Sequence, residues 1–354
     1  MQAEVFFLPV DDHEPDHEIC GRLEKFLLGQ KLFFYVAPRD LVAVKTHFGE
    51  EAAGGIIRPP YLAMFGRLLK ERGGLPFLTD TQTLYSGRRT NAVTHVELAN
   101  DHGFGYEKTG LPIIMADGLL GEDEIELPIP GRIYSKVNIA SLIVKSQSLL
   151  LASHFTGHLV TGFGAALKNL GMGCASRRGK LQQHSTSKPS IRVKKCTGCA
   201  ECQRWCPVEA ISLQQGIAVI NRKACIGCAE CLAVCRFDAV GYNWSMPQVE
   251  VQKRMVEHAL AVVQNKKNKL LAVNFLTRIS RDCDCIKGHQ RIMPDIGVLV
   301  SRDPLALDWA SLDLVEERAG RPLGQLAHDL PCRVQLEYAA ELGLGSASYR
   351  LVEI

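Results

Sequence analysis

Short apolar runs, each closed by a cluster of polar side chains, recur along most of the chain. Leu41–Thr46, Pro76–Thr79, Ile113–Ala116 and Leu149–Ser153 read as buried strands in the first half, and Leu270–Phe275 and Ile296–Ser301 near the end. Between them apolar residues return at helical spacing. Pro59–Arg72 opens on proline and is stopped by Gly73 and Gly74, Arg88–His102 is stopped by Gly103, Pro247–Val263 follows, and Asp303 introduces Pro304–Arg318. Strand–helix alternation with short connections predicts an α/β fold, a mostly parallel sheet with helices on both faces.

The alternation breaks in the middle, where cysteine takes over. The 354-residue chain carries 13 cysteines, and eight fall in two groups. Cys196, Cys199, Cys202 and Cys206 have the spacing C-x2-C-x2-C-x3-C, followed by Pro207. Cys225, Cys228, Cys231 and Cys235 repeat it, each shifted by 29 residues (Cys196 to Cys225, Cys206 to Cys235). The duplication extends to CTGCAECQRWCPVEAISL and CIGCAECLAVCRFDAVGY. Two-residue gaps let three thiolates converge on one iron–sulfur cube, while the fourth cysteine is directed to the other cube. Cys196, Cys199, Cys202 and Cys235 are therefore expected to hold one [4Fe–4S] cluster, and Cys225, Cys228, Cys231 and Cys206 the second. A pair of zinc ribbons would need only four cysteines in two pairs.

These residues resemble the bacterial-type two-cluster ferredoxin over roughly Ile191 to Asn243, with short helices expected near Ala200–Trp205 and Ala229–Val234. Arg236 stands where the first half has Pro207, and a cation beside Cys235 favours a reduced cluster. The domain expectation is an α/β domain whose parts are 1–187 and 247–354, interrupted by a small α+β ferredoxin-like insert at 188–246.

Composition narrows the function classes. With 46% apolar and 22% charged residues the chain has an ordinary globular make-up. A net charge of +3 argues no nucleic-acid partner, and two thiolate-ligated clusters would bring about −4 more. The apolar runs are too short to insert in a membrane, and no basic leader opens the sequence, so the expected place is the cytoplasm. Oligomeric state is not legible. Seven basic and no acidic residues between Ala175 and Lys195 read as a solvated linker or as a docking patch for an acidic redox partner.

In open α/β sheets ligands bind beyond the carboxyl ends of strands. Four polar clusters hold that position: Lys45, Thr46 and His47; Asp80 to Thr83 with Arg88 and Arg89; Asp117 and Gly118; and Ser153 to His158, leading to Lys168 and Asn169. Singly, such residues are caps and turns; four together point to one cleft. Gly162-x-Gly164 before a helix offers an anion cradle, but Leu167 replaces the third glycine of a dinucleotide fingerprint. His154 and His158 have the spacing of a metal pair, though Gly157 argues against a helix there. Cys283-Asp284-Cys285 follows a strand, and with Cys174 it could hold a third metal or cluster, form a redox disulfide, or be separate unreactive thiols.

VAVKTHFGE, FLTDTQTLYSGRR, ADGLLG, SHFTGHLVTGFGAALKNLGMGCASRRGK, the cysteine-rich insert, and CDC followed by PDIGVLVSRDPLALDWASLDLV together resemble the iron–sulfur-centre proteins of domain-of-unknown-function family 362, across essentially residues 1–345. The resemblance implies an α/β core interrupted by a ferredoxin and a redox role, and supplies no reaction. Phe155 and Thr156 depart from it where members often carry lysine beside Gly157. With the strand-end pattern it nominates Lys45, His47, Asp80, Arg88, Asp117, His154, His158, Lys168, Asn169, Cys174, Cys283 and Cys285 as lining one cleft.

The expected function is an iron–sulfur oxidoreductase whose two [4Fe–4S] clusters carry electrons to or from that cleft and a small-molecule substrate. His154 or His158 would donate protons, Lys168 or Arg88 would hold an anion, and Cys283 and Cys285 would be ligands or a redox pair. The alternative is a non-enzymatic electron carrier or maturation factor docking a larger redox complex through a redox partner protein.

Overall fold

The computed structural model describes residues 2–85, 87–184, 188–242, 246–286 and 288–354. The expected junction at 187/188 and the expected end of the ferredoxin resemblance at Asn243 touch residues outside that set.

Seven strands form the central sheet: β1 (Ala3–Pro9), β2 (Leu41–Lys45), β3 (Leu75–Thr79), β4 (Ser148–His154), β5 (Leu270–Leu276), β6 (Gly297–Ser301) and β7 (Tyr349–Glu353), ordered β7-β1-β6-β5-β4-β2-β3. The half that carries β5, β4, β2 and β3 is parallel throughout. β6 runs antiparallel to both β5 and β1, and β7 is parallel to β1. The sheet is thus mostly parallel, as expected, with antiparallel pairing confined to β6.

Both faces are covered because both are apolar. Ala43, Phe77, Leu149, Leu151, Leu270 and Ala272 pack on one side with helices Ala166–Gly171, Gln248–Asn265 and Pro304–Ala319. Their strand neighbours Val42, Val44, Leu78, Leu150, Leu271 and Val273 pack on the other with Asp16–Gly29, Pro59–Glu71 and Ala92–Asp101. Successive strand residues face opposite layers, so unbroken apolar runs are what a three-layer sandwich requires. Among the described residues no helix is long and apolar enough to cross a membrane.

Some expectations need correction. The helix expected from Arg88 begins at Ala92, because Asn91 accepts the Thr94 N–H (3.1 Å) and sets the N-cap there. Ile113–Ala116 is not a strand; Ile113 makes only an isolated bridge to Leu78. Strand β1, the edge strand β7 and the hairpin Glu124–Pro128/Lys136–Ala140 were not anticipated. The supposed basic linker begins as helix Arg177–His184, with Arg177 and Lys180 buried.

Residues 190–241 form a small separate layer. Ser190–Ile191 pairs with Val240–Gly241, closing a module that contains the hairpin Ile211–Gln214/Ile217–Ile220 and helices Glu201–Arg204 and Glu230–Ala233. It has its own apolar centre, made of Ile211, Ala218, Val234 and Val240 beside Cys202 and Cys231.

Candidate functional site

The carboxyl ends of β2, β3, β4 and β5 share one edge of the sheet. From β2 the chain passes to β3 on one side, and from β4 to β5 on the other, so the topology switches between β2 and β4. A cavity of about 380 Å³ opens over that edge, large enough for a small metabolite.

Its floor is a buried ion pair. Lys45 Nζ, at the end of β2, lies 2.8 Å from Asp80, just past β3, and donates to Asn169 Oδ1 (2.7 Å) and the Thr46 carbonyl (3.0 Å). Asn169 Nδ2 in turn donates to the Ala152 carbonyl and to Ser153 Oγ, both at 3.1 Å, tying the floor to β4. Burial opposes ionisation of Asp80, but Lys45, His47, His95 and Arg89 outweigh it and hold the carboxyl below its ordinary range. Arg89 reaches in beside this pair, bonded to Glu50 (3.1 Å) and to the Tyr85 hydroxyl. Beneath, His95 is kept neutral by burial, its pKa near 3.

Opposite lies the segment after β5. His154 Nδ1 faces Asp284 at 2.8 Å and Nε2 faces the Thr277 carbonyl at 2.9 Å. Two acceptors on one ring call for the imidazolium. Burial disfavours that charge, yet Asp284 overcomes it and raises the pKa of His154. Asp284 is thereby committed to His154, and Cys283, Asp284 and Cys285 all line the cavity. His47 completes the arrangement. Gly49 N–H donates to its Nδ1 (2.8 Å), and its Nε2 lies 2.8 Å from Arg89 Nη1 and 3.2 Å from Cys285 Sγ. The hydrogen bond from Cys283 is the foremost influence on Cys285, with the charges of His47 and Lys168 added. Together they pull its pKa well below the usual thiol value, while Cys283 is pushed up. Lys168 has no ion pair with a carboxylate among the described residues. Burial disfavours its charge, but Cys283, Cys285 and Asp284 restore it. His158 Nδ1 accepts from the Val160 and Thr161 N–H groups, leaving Nε2–H for the cavity.

The cavity therefore gathers Lys45, His47, Asp80, His154, His158, Lys168, Asn169, Cys283 and Cys285. Three nominated residues lie elsewhere. Arg88 pairs at the surface with Asp101 (2.7 Å), and its neighbour Arg89 takes the interior place. Asp117 is buried behind the lining, where it accepts the Gln82 N–H, and burial raises its pKa to about 6. Cys174 is fully buried and outside the lining, so it does not join Cys283 and Cys285. His154, committed on both nitrogens, is not free to share a metal with His158. Residues outside the nominated set also contribute: Tyr85, Arg89 and Asp284, which the polar clusters already contained, and His184 and Lys180, the last brought by burial to a pKa of about 8. Arg89, adjacent to Arg88 in the same strand-end cluster, carried the clearest signal. The glycine cradle at Gly162-x-Gly164 is closed, because Asp308 already accepts the Ala166 and Leu167 N–H groups at the helix start (2.9 and 2.8 Å).

The small module holds two further hollows. Cys196, Cys199, Cys202 and Cys235 line one, and Cys206, Cys225, Cys228 and Cys231 line the other. Each set contains three cysteines from one half of the repeat and the fourth from the other. The backbone repeats too: Gly198 and Gly227 have φ of 70° and 73°, Ala200 and Ala229 63° and 69°, and Glu209 and Asp238 51° each. At Gly198 a Cβ would sit 2.3 Å from the Gly216 carbonyl, so only glycine fits. Ala210 N–H donates to Cys206 Sγ and Ala239 N–H to Cys235 Sγ, both at 3.2 Å, and Ala218 N–H to Cys196 Sγ at 3.4 Å. Among the described residues no three His, Cys, Asp or Glu side chains close round a single metal ion. The second hollow abuts the α/β body, since Ala229, between Cys228 and Cys231, packs with Leu84, Leu181 and Tyr242. Leu84 also lines the large cavity.

Residues 42–313 match the family model described as a domain of unknown function (DUF362). No curated protein matches the chain. Among solved structures, it is similar to the lactate racemase apoprotein from Thermoanaerobacterium thermosaccharolyticum, at 11% identity and a TM-score of 0.48, over 90% of this chain and 58% of that one. It is likewise similar to a protein from Thermotoga maritima, at 10% identity and a TM-score of 0.47, over 88% of this chain and 61% of that one. The chain thus spans about three-fifths of the length of these two structures.

Proposed function

The chain belongs to the DUF362 family, and within it we propose an iron–sulfur oxidoreductase in which two [4Fe–4S] clusters in the small module exchange electrons with a substrate in the large cavity. The observation that carries this reading is the crossed sorting of the eight cysteines into two hollows, three and one from each half. A cube asks for four thiolates on four different irons rather than ligands converging on one ion, so spread sulfurs suit it. Cys196, Cys199, Cys202 and Cys235 would hold one cluster, and Cys225, Cys228, Cys231 and Cys206 the other.

When bound, such clusters supply and accept single electrons, usually at low potential. The chain's own groups do the rest. The N–H donors of Ala210, Ala218 and Ala239 stabilise sulfur charge and fix its direction. Leu84 is shared between the apolar contact to Ala229 and the cavity wall, so an apolar side chain stands between the two sites. In the cavity Lys168, without a carboxylate partner among the described residues, offers a cation to an anionic substrate, and His158 Nε2–H a hydrogen-bond donor. The Lys45–Asp80–Asn169 floor holds the strand ends in register.

Iron and acid-labile sulfide per chain after anaerobic purification, with EPR of the reduced sample, test this. About eight irons are expected; fewer than about six after reconstitution would overturn the assignment. Cys206→Ser should perturb the same EPR signal as Cys225→Ser, and Cys235→Ser the same one as Cys196→Ser. Pairing of Cys206 with Cys196 instead would refute the crossed ligation.

A further inference from the structure

Two features of the cavity are not used together by the reading above: a pair of sulfurs and a cation, all in its lining. The segment after β5 is anchored on each side of the pair. Glu50 N–H donates to the Asp284 carbonyl (2.9 Å), Ile286 N–H to the Cys283 carbonyl (3.0 Å), and the Asp284 carboxylate is taken by His154 (2.8 Å). The Asp284 side chain is therefore committed to His154, and its two neighbours line the cavity with it. Cys285 Sγ lies 3.2 Å from His47 Nε2, and Cys283, two positions earlier, lines the same cavity. Such a sulfur is a nucleophile with a second thiol in reach.

A lone activated thiolate serves many transfers. A thiolate with an adjacent thiol serves exchange, because the second sulfur resolves the mixed disulfide formed by the first. A cation in the same lining selects the ligand. Lys168, without a carboxylate partner among the described residues, favours an anion close to the attacking sulfur. The cavity, at about 380 Å³, admits a small molecule and not a folded protein.

We propose that Cys283 and Cys285 are a dithiol–disulfide couple and that the cavity takes a small anionic disulfide, which Cys285 attacks while Lys168 holds its anionic group. The Cys285 thiolate forms a bond to one sulfur of the substrate, whose S–S bond breaks and releases the other half as a thiolate. Cys283 loses its proton and attacks Cys285 Sγ, forming the Cys283–Cys285 disulfide and releasing the second half. The substrate gains two electrons and the protein pair loses two. Two electrons and one proton restore the thiol and the thiolate, from a dithiol reductant or from the single-electron centres proposed above. Only that last source rests on the iron–sulfur reading; the thiol chemistry stands on the cavity.

The full chain, reduced anaerobically with dithiothreitol and desalted, is treated with one equivalent of the anionic disulfide 5,5′-dithiobis(2-nitrobenzoate) or the neutral 2,2′-dithiodipyridine. Peptide 282–287 is then mapped by mass. Wild type is expected to end as the Cys283–Cys285 disulfide without adduct, and Cys283→Ser to retain one adduct on Cys285. Lys168→Met should slow the anionic probe about tenfold more than the neutral one, the worth of one charge-assisted contact. The ratio of the two rates separates anion binding from any change in thiol reactivity. An unreacted wild-type dithiol, an adduct on Cys283 in place of Cys285, or equal slowing of both probes by Lys168→Met would each overturn the proposal. Iron measured on the same sample keeps the two readings apart. Eight irons with an inert pair sinks the couple alone, and a reacting pair without iron sinks the clusters alone.

Discussion

Lys45→Met should be among the most damaging single changes, for a reason that can be worked through. Lys45 and Asp80 have side-chain exposures of 1% and 4% and sit 2.8 Å apart. Removing the ammonium leaves the buried carboxylate with the more distant Arg89, at 3.9 Å, and takes the donor from Asn169 Oδ1 and the Thr46 carbonyl. Breaking a buried pair in this way costs about 3–5 kcal/mol. At roughly 2.1 cal/mol/K of unfolding entropy per residue, 354 residues turn that into a Tm loss of about 4–7 °C. The loss has a pH signature. In the wild type Asp80 is held below its ordinary range, so the pair's contribution is complete above about pH 4 and falls only below it. Without Lys45, burial, the largest influence on Asp80, pushes its pKa up. The variant then recovers stability as the carboxyl protonates, and its deficit shrinks from pH 7 to pH 5. Lys45→Met/Asp80→Asn deletes the remaining charge and should regain part of the loss, which a strictly additive pair of mutations would not. Differential scanning calorimetry of the three variants at both pH values decides it. A Tm within a degree of wild type, a deficit independent of pH, or an additive double mutant would refute the reasoning.

Two neighbouring arginines give a sharper contrast. Arg88→Ala, at the surface, should stay within about 0.5 kcal/mol of wild type, whereas Arg89→Ala strands Glu50 and should cost about 3 kcal/mol or more in thermal unfolding. Asp284→Asn should uncouple His154, whose pKa is raised by that carboxylate. The pair's contribution is complete below the unfolded histidine value near 6.5 and fades as pH rises through the raised value. The stability gap to wild type should therefore be widest in mild acid and close above neutrality, and a gap that grows with pH would sink this account.

Much of this site was visible along the chain, because strand ends can be read from where apolar runs stop. Lys45, His47, Asp80, His154 and the Cys283/Cys285 pair follow β2, β3, β4 and β5 directly, and all reach the cavity. Asp117 misled because Ile113–Ala116, apolar enough for a strand, makes only a bridge to β3. Arg88 misled because two adjacent arginines in a turn differ only in which one the fold turns inward. Strands β1 and β7 escaped notice since their pairing joins residues 3–7 to 349–353, at opposite ends of the chain.

The sequence by itself determined the duplicated cysteine spacing, the apolar strands and helix stops, and the polar clusters at strand ends. All of these are written in interactions between residues a few positions apart. What only the tertiary structure decided is chemical character. The pKa of Cys285 falls through its neighbour Cys283 and through Lys168 and His47, the last 238 positions away yet 3.2 Å from its sulfur. Lys45 and Asp80 become one buried unit because β2 and β3 are adjacent, and His154 gains its charge from Asp284 on another loop. Charge in a folded interior depends on distance and burial rather than on sequence neighbours, and both exist only once the sheet has brought the strand ends together.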